Sequence, residues 1–201
     1  MNSINFNDSF LSEIKKVIDK LNFEDLDSVI DVICDIKKDN GRIFFCGSGG
    51  GAGHASHAAA DFRKLINIES YSVSDNVSQL TSEINDNSWS SSYKNIIESS
   101  NFSNKDCLFV FSVGGGSVEP PVSNQIVKAI DYVLEVKGKI LGIVGRDGGY
   151  TRKKGTASIL IPTISESLVT AHTEGMQAYL WHLIVSHPKL SPNVPKWESV
   201  K

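Results

Sequence analysis

The sequence predicts an α/β fold, a doubly wound parallel sheet covered by helices on both faces. Two observations lead there. Short apolar runs that read as buried strands alternate with segments of helical period, and such alternation builds a parallel sheet. Three of the runs, at 43–46, 106–112 and 139–144, each end in a glycine loop. In sheets of this kind ligands bind beyond the carboxyl ends of the strands, where these loops fall.

The chain of 201 residues fits one domain over 1–201, with 40% apolar and 21% charged residues. The formal net charge of −3 gives no basic balance for a nucleic-acid partner. No apolar run is long enough to span a bilayer, and the start MNSINFNDSF lacks the basic and apolar regions of a secretory signal. Cys34, Cys46 and Cys107 are scattered in apolar contexts, which favours free thiols in a reducing cytoplasm over disulfides or a thiolate zinc site. The expected setting is cytoplasmic, with neither nucleic acid nor membrane as partner.

Taken in order, residues 1–40 form an N-terminal helical segment. Apolar positions from Phe10 to Ile36 recur every three or four residues, with a break at Asn22–Asp25 and Asp8 and Asp25 as candidate N-caps. Residues 43–46 are a buried strand, followed by the turn Gly47-Ser48-Gly49-Gly50-Gly51 and a helix. Tyr71–Ser74 is a short strand, and Ser74 or Asp75 can cap a short helix through Leu80. The polar stretch Asn85–Ser92 reads as an irregular loop. Asp106–Ser112 is a buried strand, 122–137 a helix, and Lys139–Val144 another strand. A basic loop at 152–154 precedes the apolar run Ala157–Pro162. Residues 170–187 read as a helix, and the proline-bearing tail at 188–201 as an irregular arm.

Three stretches carry chemistry. His57 and Asp61 lie four apart on the helix after the first glycine loop, so they share a face about one turn apart and suit a metal or proton transfer. The loop itself can offer backbone N–H groups to an anion. It is not a dinucleotide turn: a G-x-G-x-x-G laid from Gly47 meets Ala52 where the third glycine belongs, and no Gly-Lys-Ser/Thr makes it a P-loop. The second loop, Ser112–Ser117, offers two hydroxyls and three glycine N–H groups, donors a sugar phosphate can use, or else it is a plain turn with Ser117 as N-cap. In the last helix Glu174 and His182 are eight apart, a rise of roughly 12 Å and about 80° beyond two turns. One straight helix would struggle to bring both onto one ion, so either Glu174 precedes the regular helix or one of the pair serves a neighbouring subunit.

In their order along the chain, His57 and Asp61, Asn85-Asp86, Ser112–Ser117, and Glu174 and His182 resemble the sedoheptulose 7-phosphate isomerases (phosphoheptose isomerases) of the sugar-isomerase (SIS) fold. The similarity runs from about Phe10 to His187. It implies a flavodoxin-like or Rossmann-like sheet, a homotetramer with active sites at subunit interfaces, and one Zn2+ per subunit. His57, Asp61, Glu174 and His182 fall on the family's metal and catalytic positions, an N/O set that suits zinc. Asp61 and His182 are the candidate acid/base residues. Ser48, Gly49, Gly50, Asp61, Asn85, Asp86, Ser112, Val113, Gly114, Ser117 and Glu174 fall on substrate-binding positions.

The departures are specific. Val113 and Gly114 lack hydroxyls, Gly51 stands where the family has a serine, Asp61 is one methylene shorter than the family's Glu, and Glu174 replaces a Gln. The implied reaction converts D-sedoheptulose 7-phosphate to D-glycero-D-manno-heptose 7-phosphate through an enediol, feeding activated-heptose synthesis for a surface polysaccharide. Another SIS isomerase, acting on a hexose or pentose phosphate, shares this chemistry. The alternative is a non-catalytic SIS tetramer that binds a sugar phosphate or a protein such as a replication initiator.

Overall fold

A computed structural model describes residues 3–200. Its sheet has five strands, all parallel: β1 (Ile43–Gly47), β2 (Ser70–Ser72), β3 (Cys107–Ser112), β4 (Lys139–Val144) and β5 (Ala157–Leu160), in the order β2-β1-β3-β4-β5. The α/β, doubly wound expectation is met. The order reverses at β1, between β2 and β3, so the loops after β1 and β3 leave toward opposite faces and open a crevice between them.

The central strands β1, β3 and β4 read as continuous apolar runs because both faces are covered, whereas the edge strand β2 is polar and partly exposed. Side chains alternate along each strand. Phe45, Phe109 and Phe111 enter one core with Phe62, Trp181 and Ile33, and the Phe45 and Phe111 rings lie 5.9 Å apart and nearly parallel. Phe44, Cys46, Leu108 and Val110 enter the other with Tyr93, Ile97 and Ile130. The first face is covered by α2 (Phe23–Lys38), α3 (Gly50–Ile66) and α8 (Val169–Val185), the second by α5 (Trp89–Ser99) and α6 (Asn124–Glu135). All three cysteines are free, and burial pushes the Cys46 and Cys107 thiols up, so both are inert packing groups. Among the described residues, no helix is long and apolar enough to cross a membrane.

Several local expectations are corrected. α1 (Ser3–Asp19) begins ahead of Asp8, so Asp8 is inside the helix. α2 is capped by Asn22, whose side chain accepts from Glu24 N–H at 2.9 Å; Asp25 sits in the first turn and pairs with Arg152 at 2.8 Å. α4 (Val77–Asp86) starts after Asn76, which accepts from Gln79 N–H at 3.1 Å, so neither Ser74 nor Asp75 is the cap. The stretch 85–92 is not a loop: α4 runs to Asp86 and α5 starts at Trp89 behind the Ser88 cap. The basic segment 152–154 closes a short helix, α7 (Gly149–Lys154). Ser117 caps nothing; it exchanges backbone hydrogen bonds with Val122, and α6 starts after Ser123. The tail holds a 3-10 turn at Pro188–Leu190 and α9 (Lys196–Ser199), and it docks through Asn193 N–H on Leu65 O at 2.7 Å.

At the amino ends of β1 and β3 the two strands are tied by Arg42 and Asp106. Arg42 donates to the Asp106 carboxylate through its backbone N–H (2.9 Å), Nε (3.2 Å) and Nη2 (2.8 Å), and Ser103 adds its N–H (2.8 Å) and hydroxyl (3.0 Å). Burial by itself would raise the carboxyl's pKa; these hydrogen bonds outweigh it and hold Asp106 below the usual carboxylate value. A depressed pKa stabilises the fold fully above the unfolded value of about 4, and that contribution is lost as pH falls through the folded value. Asp106→Asn therefore lowers stability by about 2–3 kcal/mol at pH 7 in urea unfolding, and the gap to wild type narrows at pH 3. Equal urea midpoints at pH 7 would contradict this.

Candidate active site

A cavity of about 520 Å3 opens at the switch point, beyond the carboxyl ends of β1 and β3. Of the residues singled out from sequence, Ser48, Ser112, Val113, Gly114, Ser117 and Glu174 line it. The positions of the two serines are set by neighbours. Gln125, buried on α6, donates from Nε2 to Ser48 Oγ at 2.6 Å, and Tyr93 OH donates to Gly47 O at 2.6 Å. Ser112 Oγ accepts from Gly115 N–H at 3.0 Å, which leaves its own proton free to be donated into the cavity.

The first turn of α3 tolerates no side chains on its inner side. A Cβ at Gly51 would stand 2.5 Å from Phe111 O, so the missing serine follows from a close approach of α3 to β3. A Cβ at Gly50 would collide with the Glu174 carboxylate. Gly49, at the exposed N-cap, has φ +56°, a conformation that suits glycine.

The metal-type residues assemble in part. His57, Asp61 and His182 bring ligand atoms within 4.8 Å of one another. The Nε2 atoms of His57 and His182 each lie 3.5 Å from Asp61 Oδ2, and the two imidazole rings stand at 86°. Both histidines are half exposed, while Asp61 is largely enclosed. His182 Nδ1 is 2.7 Å from Ala178 O. A carbonyl only accepts, so Nδ1 carries the proton and Nε2 presents its lone pair, the tautomer a metal needs. Trp181 Nε1–H donates to Asp61 Oδ2 at 3.2 Å and orients the carboxylate. Two imidazoles, an oriented carboxylate and an open fourth side fit zinc.

Glu174 is not part of this cluster, and the expected four-ligand set is not assembled within one chain. Both Glu174 and His182 lie in the single helix α8, and the eight-residue interval separates them as helical geometry requires. Because α8 runs alongside α3 in the same direction, Glu174 meets the start of α3 while His182 meets Asp61 two to three turns later. Asn85 and Asp86 do not line the cavity. They end α4 at the exposed surface, where Asn85 Nδ2 donates to Asp86 Oδ1 at 2.8 Å.

Four residues escaped the sequence reading. His54 sits one turn before His57, its ring 5.0 Å from that of Trp181, with Nε2 buried and without a partner among the described residues. Burial pulls its pKa below the ordinary histidine value, against the opposing pull of Glu174, so it is neutral at pH 7. The i, i+3 spacing to His57 was its only signal. Trp181 and Gln125 act on residues 120 and 77 positions away, which no local pattern reports. Arg146 lines the cavity from the loop after β4, with backbone φ +53°.

The SIS domain family model matches residues 5–145. The phosphoheptose isomerase of Helicobacter pylori is 26% identical over 145 residues, spanning 70% of this chain and 72% of that protein. Two solved structures share the fold. The phosphoheptose isomerase from Neisseria gonorrhoeae superposes with TM-score 0.78 at 20% identity, covering 90% of this chain and 95% of that one. The phosphoheptose isomerase from Francisella tularensis also gives 0.78, at 15% identity, covering 95% and 99%.

Trp181→Phe keeps an aromatic ring among His54, His57 and His182 but removes the N–H that orients Asp61. Zinc affinity, measured by competition with a chromophoric chelator, falls about tenfold while circular dichroism is unchanged. Wild-type affinity in the variant would show that this hydrogen bond does not prepare the site.

Proposed function

The chain belongs to the SIS domain family, and from that premise we propose that it is a phosphosugar isomerase acting on D-sedoheptulose 7-phosphate. The single observation that carries the reading is the juxtaposition on α3 and α8. A donor-lined cavity at the switch point faces Glu174, and the His57–Asp61–His182 cluster follows on the same two helices. His57 and Asp61 lie roughly 10 and 16 Å along α3 from Gly50, a separation that favours a long, extended sugar phosphate over a short one. The relatives named phosphoheptose isomerase support the same substrate class.

In an aldose–ketose isomerisation a base takes a proton from C1 of the ketose and returns it to C2, while the hydroxyl proton on O1 moves to O2, so that C1 becomes the carbonyl. No external oxidant or reductant is needed. Asp61 and His182, the first candidates for acid and base, lie together in the ligand cluster, where a bound metal would take the imidazole's one free lone pair and lower the basicity of the carboxylate. Glu174 stands outside that cluster with its carboxylate toward the cavity, and it is the group assigned to carry the proton between C1 and C2. Ser48, held by Gln125, and Ser112, held by Gly115 N–H, orient hydroxyls and phosphate. Zinc held by His57, Asp61 and His182 would supply Lewis acidity to an oxygen lodged beside that cluster.

We carry the finer assignments in the same proposal: one zinc per chain, D-glycero-D-manno-heptose 7-phosphate as product for activated-heptose synthesis, a cytoplasmic setting and a homotetramer. Exposed Phe6, Leu11, Ile18 and Phe23 on α1 and at the start of α2, with Tyr179 on α8, support burial of that surface by another copy. The lost hydroxyls at Val113 and Gly114 favour a second reading, a sugar-phosphate-binding SIS protein without turnover.

A panel of ketose phosphates, assayed on protein whose zinc content is measured in the same sample, separates these. The proposal expects turnover of sedoheptulose 7-phosphate above pentulose and hexulose phosphates; zinc-loaded protein that releases no aldoheptose phosphate would refute it. Glu174→Gln, which installs the residue of the resembled family, lowers kcat about a hundredfold if Glu174 is the base. Retained kcat would return Glu174 to a ligand or binding role.

A further inference from the structure

We propose that Arg146 is the cationic contact for the substrate's phosphate, replacing donors that the glycine-rich loop 112–117 lacks. The proposal rests on the phosphosugar reading above and deepens it. Arg146 is the one lysine or arginine among the described residues that line the cavity, and it sits beside Ser112, Gly114 and Ser117. Its side chain runs over Gly114: a Cβ there would touch Arg146 Cδ at 3.8 Å. The absent side chain at 114 and the arginine therefore occupy adjoining space on the same wall.

The guanidinium is uncommitted. Its ion-pair partner among the described residues is Glu166, at 4.0 Å and 80% exposed, too far and too wet to hold it. The backbone beneath it, by contrast, is fastened. Gly145 N–H donates to Val113 O (3.1 Å), Tyr150 N–H to Gly116 O (2.8 Å) and Thr151 N–H to Gly115 O (2.9 Å), so the loops after β3 and β4 form one unit. Arg146 itself is held at φ +53°, a conformation uncommon for a residue with a Cβ. A planar fork on a fixed base suits two phosphate oxygens at once.

The other end of the cavity excludes phosphate. The start of α3 is a natural anion site, but the Glu174 carboxylate already lies against Gly50 there. A phosphate placed beside it would meet a like charge. The cavity is thus polarised, negative at Glu174 and positive at Arg146, and a sugar phosphate enters with its phosphate toward β4 and its reacting end toward α3.

Two readouts test this. Inorganic phosphate is titrated by 31P NMR into wild type, Arg146→Gln and Arg146→Lys; the dissociation constant rises about ten- to a hundredfold in the Gln variant and less in the Lys variant. With sedoheptulose 7-phosphate, Arg146→Gln raises KM by a similar factor and leaves kcat within about twofold. Wild type that binds no phosphate, or a Gln variant that binds it as tightly as wild type, overturns the proposal. Loss of phosphate binding in the Gln variant, with wild type inactive on every sugar phosphate, upholds the arginine contact and removes the isomerase reading instead.

Discussion

The site depends on how closely α3 and α8 pack in the same direction. Small residues on α3, with Ala55, Ala58 and Ala59 buried, let another element approach its backbone, and Trp181 fills the space that remains. Its ring packs on His54, His57, His182 and Phe111, while its N–H reaches Asp61. The side-by-side register follows. Glu174 falls at the first turn of α3, and His182 falls opposite His57 and Asp61. Two chemistries, a lone carboxylate over a donor-lined cavity and a histidine–carboxylate cluster, are thereby strung along one pair of helices.

The cavity wall owes its shape to what is missing as much as to what is present. Gly51 admits the carbonyl of Phe111, and Gly50 admits the Glu174 carboxylate. A serine at 51 would have to push α3 away from β3, so its loss and the tight α3–β3 approach are one fact. At loop 112–117 glycine likewise permits the interlock with the loop after β4. Arg146, the charged group in the loop after β4, lines the cavity beside the positions where donors are missing.

The fold was legible because the three central strands, β1, β3 and β4, are apolar on both faces and each leads into a glycine loop, signals that need no knowledge of tertiary contacts. His57 and Asp61 were legible for the same local reason, a four-residue interval on one helix. α5 was not, because its capping segment Ser88–Ser92 is polar, while the residues that anchor it, Tyr93, Ile96 and Ile97, only show their spacing once the helix is extended to Ser99. Glu174 shows the limit of resemblance: its interval from His182 already argued against shared ligation on one helix, and the two are separated along α8. Arg146, Gln125 and Trp181 matter through partners far away in sequence, which only the packed sheet brings together.

The central claim is that this site moves a proton between C1 and C2 of a ketose phosphate. Proton NMR of sedoheptulose 7-phosphate incubated with zinc-loaded protein in D2O reads that step directly. The account predicts deuterium entering C1 of the ketose and C2 of the newly formed aldose, at rates that fall together when Glu174 is changed. Ketose that keeps both C1 protons, with no aldose formed, would contradict it.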